Sequence, residues 1–214
     1  MTLQPSANRN DVLYQSGVFG MDANLSNNVP PEITTTTTGN ATVSTTQLGL
    51  DVQPGATAGD TAQVRGPRVT DVGKWGDWIS TYLFECATAT PFTDDIEIGM
   101  KAGNPGTYAV NETSNVYILD LTTEEFRLES TTQSVTIPNR FDRAVFQMEY
   151  RSDTDELTMR LRFKGESEQS HTFSNAGAVE MGGGRVLTES NGSDDNVQLG
   201  YVRDVMSTFD NDLL

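Results

Sequence analysis

Asp95 and Glu97 are the residues whose types and spacing come nearest to a catalytic pair. They occupy alternate positions in the stretch from Asp94 to Met100, with Ile96, Ile98 and Met100 on the other parity. A β-strand there projects both carboxyls from one face. Two carboxyls about 5 to 5.5 Å apart serve a retaining glycosidase as nucleophile and acid. Trp75, Trp78 and Tyr82 lie upstream and could supply an aromatic platform for a sugar ring beside those two acids. The opposing reading is a solvated strand face, because alternating acids recur by chance in a chain with 30 Asp and Glu.

Other chemistry is poorly supplied. His171 is the only histidine and Cys86 the only cysteine, so neither a nucleophilic triad nor a zinc site finds its ligands, and no intrachain disulfide can form. Cys86 sits among apolar neighbours and reads as a buried, inert thiol. No cofactor is indicated. Calcium is the one ion with oxygen ligands at hand, in the clusters Asp153 to Glu156 and Asp194-Asp195, and neither follows the D-x-D-x-D-G loop. Gly182-Gly183-Gly184-Arg185 opens no helix and fails as a phosphate loop. Sequons at Asn24, Asn40, Asn111 and Asn191 are no more than this Asn-, Ser- and Thr-rich composition produces by chance.

The element best placed to organise these residues is Arg143 to Lys164. Ala144, Phe146, Met148 and Tyr150 alternate with polar residues, and so do Leu157, Met159, Leu161 and Phe163. Between them, Ser152 to Glu156 is rich in turn formers, which predicts an antiparallel hairpin with one apolar face. Its other face sets Glu149 and Arg151 against Arg160 and Arg162, where mutual ion pairing would suffice. Trp78 to Ala87 is apolar on both parities and predicts a strand buried on both faces. Further short runs precede and follow the hairpin, for ten to twelve strands with no amphipathic helix. The expected fold is an all-β, two-sheet antiparallel sandwich over residues 47–208.

Residues 1–46 differ, with Pro30-Pro31, a run of five threonines from Thr34 and no sustained apolar period. They predict an extended arm, pinned along its own domain or against neighbouring copies, with Tyr14 and Phe19 as anchors. Residues 209–214 form a short tail. The 214 residues, 36% hydrophobic, suffice for one core. A net charge of -16 argues against binding nucleic acid through its phosphates, so nucleic acid is not an expected partner. Three lysines against eleven arginines, in so acidic a chain, point to a salt-adapted protein. The N-terminus lacks the basic start and apolar run of a signal peptide, and no stretch approaches 18 apolar residues. The expectation is synthesis in the cytoplasm without membrane insertion.

GLDVQPGATAGDTAQV, an aromatic-rich central strand, the hairpin QMEYRSDTDELTMRLRF and the late strand LGYVRDV together resemble the concanavalin A-like (laminin G-like) jelly roll. The resemblance implies a jelly-roll sandwich and admits lectins, adhesion modules, glucanases and virion proteins. Glucanases of this fold carry Glu, Asp and Glu at alternate positions of one strand, and Thr93 stands where the first acid belongs. The resulting expectation is a non-enzymatic structural protein of a virion, as capsid, spike or tail component. It would assemble with copies of itself and other virion proteins, and contact a host surface glycan. The alternative is a carbohydrate-binding module or glucanase-like protein, with Trp75, Trp78, Tyr82, Asp95 and Glu97 at the sugar.

Overall fold

The computed structural model describes residues 12–15, 34–46, 49–65, 77–86, 91–101, 110–111, 113–139, 141, 143–178, 183–193, 195 and 197–207. The described residues contain no helix and fifteen strands. In chain order these are β1 (Val12–Gln15), β2 (Thr34–Thr37), β3 (Thr42–Thr46), β4 (Gly49–Gln53), β5 (Thr61–Arg65), β6 (Trp78–Cys86), β7 (Asp95–Lys101) and β8 (Val116–Asp120). There follow β9 (Glu125–Leu128), β10 (Thr131–Ser134), β11 (Ala144–Arg151), β12 (Glu156–Phe163), β13 (Gln169–Ser174), β14 (Gly183–Glu189) and β15 (Val197–Ser207). One sheet runs β13-β12-β11-β6-β15-β4-β3, with β1 also on β15, and the other runs β10-β9-β8-β7-β14-β5-β2. This is the antiparallel sandwich that the alternating runs predict.

The expected hairpin is its clearest element. Ladder pairs run from Ala144 with Phe163 to Arg151 with Glu156. The connection is therefore Ser152 to Asp155, closed by Asp155 at φ 50. Ala144, Phe146, Met148 and Tyr150 are buried together with Leu157, Met159, Leu161 and Phe163. On the far side of β11, β6 pairs through Phe84 opposite Ala144 and Trp78 opposite Tyr150. β6 is not buried on both faces as expected. Trp78, Ser80, Tyr82 and Phe84 face the core, while Ile79 is 37% exposed and Thr81 and Leu83 are half-buried. The outward parity of β6 is left partly open, whereas β8 of the other sheet is buried on both parities because Val110 packs over Val116 and Ile118.

Aromatic contacts bind the layers. Phe146 of the first sheet stacks at 5.8 Å on Tyr82 and at 5.9 Å on Phe126 of the second. Trp78 stacks at 5.9 Å on Tyr150 and lies 6.1 Å from Tyr117 across the sandwich. Each such pair adds roughly 0.5–1.5 kcal/mol beyond area burial. Tyr82 also donates its hydroxyl to the Gly99 carbonyl of the opposite sheet at 2.5 Å.

The described strands of the N-terminal segment pair with strands of the sandwich. β1 pairs with β15, β2 with β5 and β3 with β4, so residues 34–46 supply an edge strand to each sheet. The chain crosses between the sheets at Gly39, φ 58, where a Cβ would come within 1.7 Å of the Asp60 carboxylate. That carboxylate accepts the Asn40 amide at 2.8 Å. On β15 the ladder to β6 slips by one between Leu199 and Tyr201, which breaks the alternation expected through Tyr201.

Candidate functional site

Asp95 and Glu97 do share the outward face of β7, but they do not share an environment. Glu97 is 1% exposed. Val110 packs over Val116, Ile118 and Leu187 on that face. The next residue, Asn111, donates its amide to Glu97 Oε1 at 2.8 Å. The same oxygen accepts a hydrogen bond from the buried Arg127 guanidinium. A second nitrogen of Arg127 lies 3.7 Å from Asp120. The Arg127 cation thus balances two buried carboxylates, and Glu97 is a structural anion rather than a free nucleophile. Its neighbour Asp95 is half-buried and faces Glu189 across the ladder. Burial, with the charges of Asp120 and Asp94, pushes the Asp95 carboxyl above its ordinary range against a hydrogen bond from Asn191. Burial and then the charge of Asp95 push Glu189 up as well.

Two aromatics of the expected sugar platform lie inside the core. Trp78 and Tyr82 are 1% and 0% exposed, and Trp78 donates its ring nitrogen to the Ala178 carbonyl at 2.8 Å. They fill the core because alternation along β6 points them inward. Trp75 and Phe19 lie outside the described residues, and Tyr14 is described only as backbone in β1.

Of the acids expected to hold calcium, Asp155 and Asp195 accept hydrogen bonds from the chain itself. The Asp195 carboxylate accepts the Thr93 and Asp94 amides at 2.7 and 3.0 Å. Asp94 in turn accepts the Asn191 and Asp195 amides, each at 2.8 Å. These oxygens, aimed at N–H donors, knit residues 91–95 to residues 190–195. Asp194 lies outside the described residues. In the hairpin turn, Asp155 accepts the Tyr150 hydroxyl at 3.0 Å and the Gly177 amide at 2.8 Å. Burial, and then that carboxylate, push the Tyr150 hydroxyl up to about 12. Among the described residues no group of three potential ligands converges. Cys86 has its thiol pushed up by burial and then by Asp195, so it stays protonated and unreactive. His171 lies edge-on to Phe173 at 4.6 Å, a half-buried strand residue.

A cleft of about 400 Å³ opens where β11 begins and β12 ends. Arg143, Val145, Arg162 and the turn Phe163-Lys164-Gly165-Glu166 line it. Gly165 at φ 88 gives that turn its shape, the Glu166 amide donating to the Phe163 carbonyl at 3.0 Å. Lys164 donates its amide to the Arg143 carbonyl at 2.9 Å and so ties the turn to the start of β11. Three cations meet here, in a chain whose net charge is -16, against the single lining carboxylate of Glu166.

Register explains why they are not all neutralised. Across the hairpin Gln147 faces Arg160, whereas Val145 faces Arg162 and, on its other side, Leu83. Glu149 reaches Arg160 at 2.7 Å and also binds Arg151. Burial alone would raise the Glu149 carboxyl, but these two guanidiniums outweigh it and hold it below its ordinary range. Arg143 lies 3.4 Å from Glu85. Arg162 is exposed and, among the described residues, makes no hydrogen bond or ion pair, so the mutual pairing expected on this face stops short of it. Alternating cations at Arg160, Arg162 and Lys164 were the available signal. Which of them stays unpaired is invisible without the register.

No protein-family model matches the sequence, and a search of curated proteins finds no match. Among solved structures, lectin I of Ulex europaeus, determined with the methyl glycoside of alpha-L-fucose, superposes with a TM-score of 0.67 at 12% identity, covering 91% of this chain and 98% of that one. The Lotus tetragonolobus seed lectin gives 0.63 at 10% identity over 92% and 99% of the two chains. Arcelin-5, a lectin-like defense protein from Phaseolus vulgaris, gives 0.63 at 10% over 92% and 98%. At such identities the likeness is one of fold, the lectin-like jelly roll.

Proposed function

We propose that this protein is a saccharide-binding module that holds its ligand noncovalently in the cleft between the start of β11 and the end of β12. The observation that carries the reading is the cleft itself. It is open, lined by charged side chains and turn backbone, and about 400 Å³ in volume, within the range of small-ligand sites. It is seated on the most regular hairpin of a lectin-like sandwich, which suits binding without a large change of shape. A glucanase reading loses its support because Glu97 is engaged by Arg127 and covered by Asn111. Screening the full chain against a glycan array, followed by saturation-transfer NMR with Arg143→Ala/Lys164→Ala, tests it. Binding to at least one saccharide, lost in the double variant, is expected. Binding that survives both changes would move the site elsewhere.

A second reading keeps the chain as a structural subunit of a virion, made in the host cytoplasm and suited to high salt, with the cleft facing a host glycan. One observation favours self-assembly. The four threonines of β2 are all exposed at the end of their sheet, and among the described residues nothing pairs with the outer side of that strand. Such an edge permits strand addition by a second copy. Light scattering at low and molar NaCl decides, since a monomer at every concentration removes this reading.

A further inference from the structure

We propose that the cleft is specific for an anionic saccharide, one bearing a carboxylate or sulfate, and that Arg162 is the residue that selects it. The inference rests on the saccharide-binding reading above and adds the chemical class of its ligand. Arg162 is set by β12 onto the outward face beside Val145, with Leu83 the next residue across the ladder. An arginine whose ladder neighbour is valine gains no ion pair from the fold, and its stem covers apolar surface while its fork of five donors stays open to solvent. Two oxygens of a carboxylate or a sulfate match that fork in two parallel hydrogen bonds. Lys164 and Arg143 add positive charge to the same cleft. The turn backbone of Phe163 to Glu166 fixes their spacing. Two other described arginines of this sheet face are engaged, Arg160 by Glu149 and Arg151 by Asp77 and Glu149.

The acidic remainder of the molecule makes the cleft selective. A strongly negative surface repels anions at long range, but beyond about 8 Å that repulsion is screened at physiological salt. Only a ligand that enters the cleft and contacts the guanidinium directly overcomes it. Neutral sugars have no charge with which to satisfy Arg162, and nucleic acid is held off by the surrounding carboxylates.

Isothermal titration of the full chain at 0.15 M NaCl tests this with four probes: a uronate oligosaccharide, a sulfated oligosaccharide, the neutral oligosaccharide of the same backbone, and inorganic sulfate. The expected result is that a charged oligosaccharide binds at least about tenfold more tightly than both its neutral counterpart and inorganic sulfate, as a charge-assisted hydrogen bond provides. The two charged probes identify which oxyanion is preferred. Arg162→Gln is expected to abolish that preference and Arg162→Lys to restore part of it. Arg151→Gln, which changes net charge equally on the same sheet face outside the cleft, is expected to leave affinity within about twofold. Equal binding of neutral and charged oligosaccharides overturns the selectivity but leaves saccharide binding intact. Inorganic sulfate binding as tightly as the sulfated sugar overturns the saccharide as ligand. No binding by any probe overturns both this inference and the function on which it rests.

Discussion

Arg127 and the Asp95/Glu189 pair show two ways of handling charge on one sheet face. Arg127, 5% exposed, balances Glu97 and Asp120, and removing one member of a buried charge set leaves the others uncompensated. Arg127→Met is therefore expected to cost about 3–5 kcal/mol in urea unfolding, and Arg127→Met/Glu97→Gln distinctly less, because the second change removes one of the stranded charges. For Asp95, burial and the neighbouring carboxylates outweigh the hydrogen bond from Asn191 and the charge of Arg127, and for Glu189 burial and the charge of Asp95 act together. Both carboxyls are raised above their ordinary range, so the folded state binds protons more tightly than the unfolded chain does. Stability from this pair is complete below the ordinary carboxylate range and is lost as pH climbs through the raised values. Asp95→Asn is expected to raise the thermal midpoint at pH 7, with the gain vanishing near about pH 3.5, where carboxylates are largely protonated in both states. Glu149 behaves oppositely. Its lowered value means stability present at neutral pH and lost on acidification, so Glu149→Gln is expected to destabilise at pH 7 and progressively less toward pH 3 in the same melts.

The turns separate backbone conformation from local space. Gly39 and Gly165 both hold positive φ, at 58 and 88. A side chain at Gly39 would collide with the Asp60 carboxylate that anchors the crossing between sheets, whereas nothing lies within 4 Å of a Cβ at Gly165. Gly165→Ala should cost only the strain of a left-handed residue, about 1 kcal/mol, and Gly39→Ala clearly more. Denaturant midpoints of the two variants measure the difference, and equal costs would mean that the Asp60 contact is easily remade. The strands follow the same logic of local pattern and available space. β11 and β12 are each apolar on one parity and bury that parity. β6 is apolar on both parities, and its second face became a partly open row, Ile79 exposed and Thr81 and Leu83 half-buried, with Leu83 opposite Val145 of the cleft.

For the molecule as a whole, a net charge of -16 makes self-repulsion a standing load on the native state. At about 1 M NaCl the screening length falls to about 3 Å, so the urea midpoint is expected to rise with salt at unchanged slope. Ligand affinity at the cleft is expected to fall over the same range, because the Arg162 contact is screened as well. A midpoint that falls with added salt would show that attractive pairs such as Arg160 with Glu149 outweigh the repulsion.

Alternation along the chain by itself determined the all-β sandwich, the hairpin from Ala144 to Phe163 and the inward set Phe146, Met148, Leu157 and Leu161, because period-two patterning is a local property that adjacent residues carry. It could not announce β2 and β3, whose polar edge strands bury too little to leave a period. Nor could it tell that Glu97 would meet Arg127, thirty residues away, or that Trp78 and Tyr82 would turn inward while Arg162 fell opposite Val145. Those outcomes depend on which strands pair and in what register, and that is settled only when two sheets close on one core. The tertiary structure therefore moved the candidate site from a strand of acids to a cleft of cations.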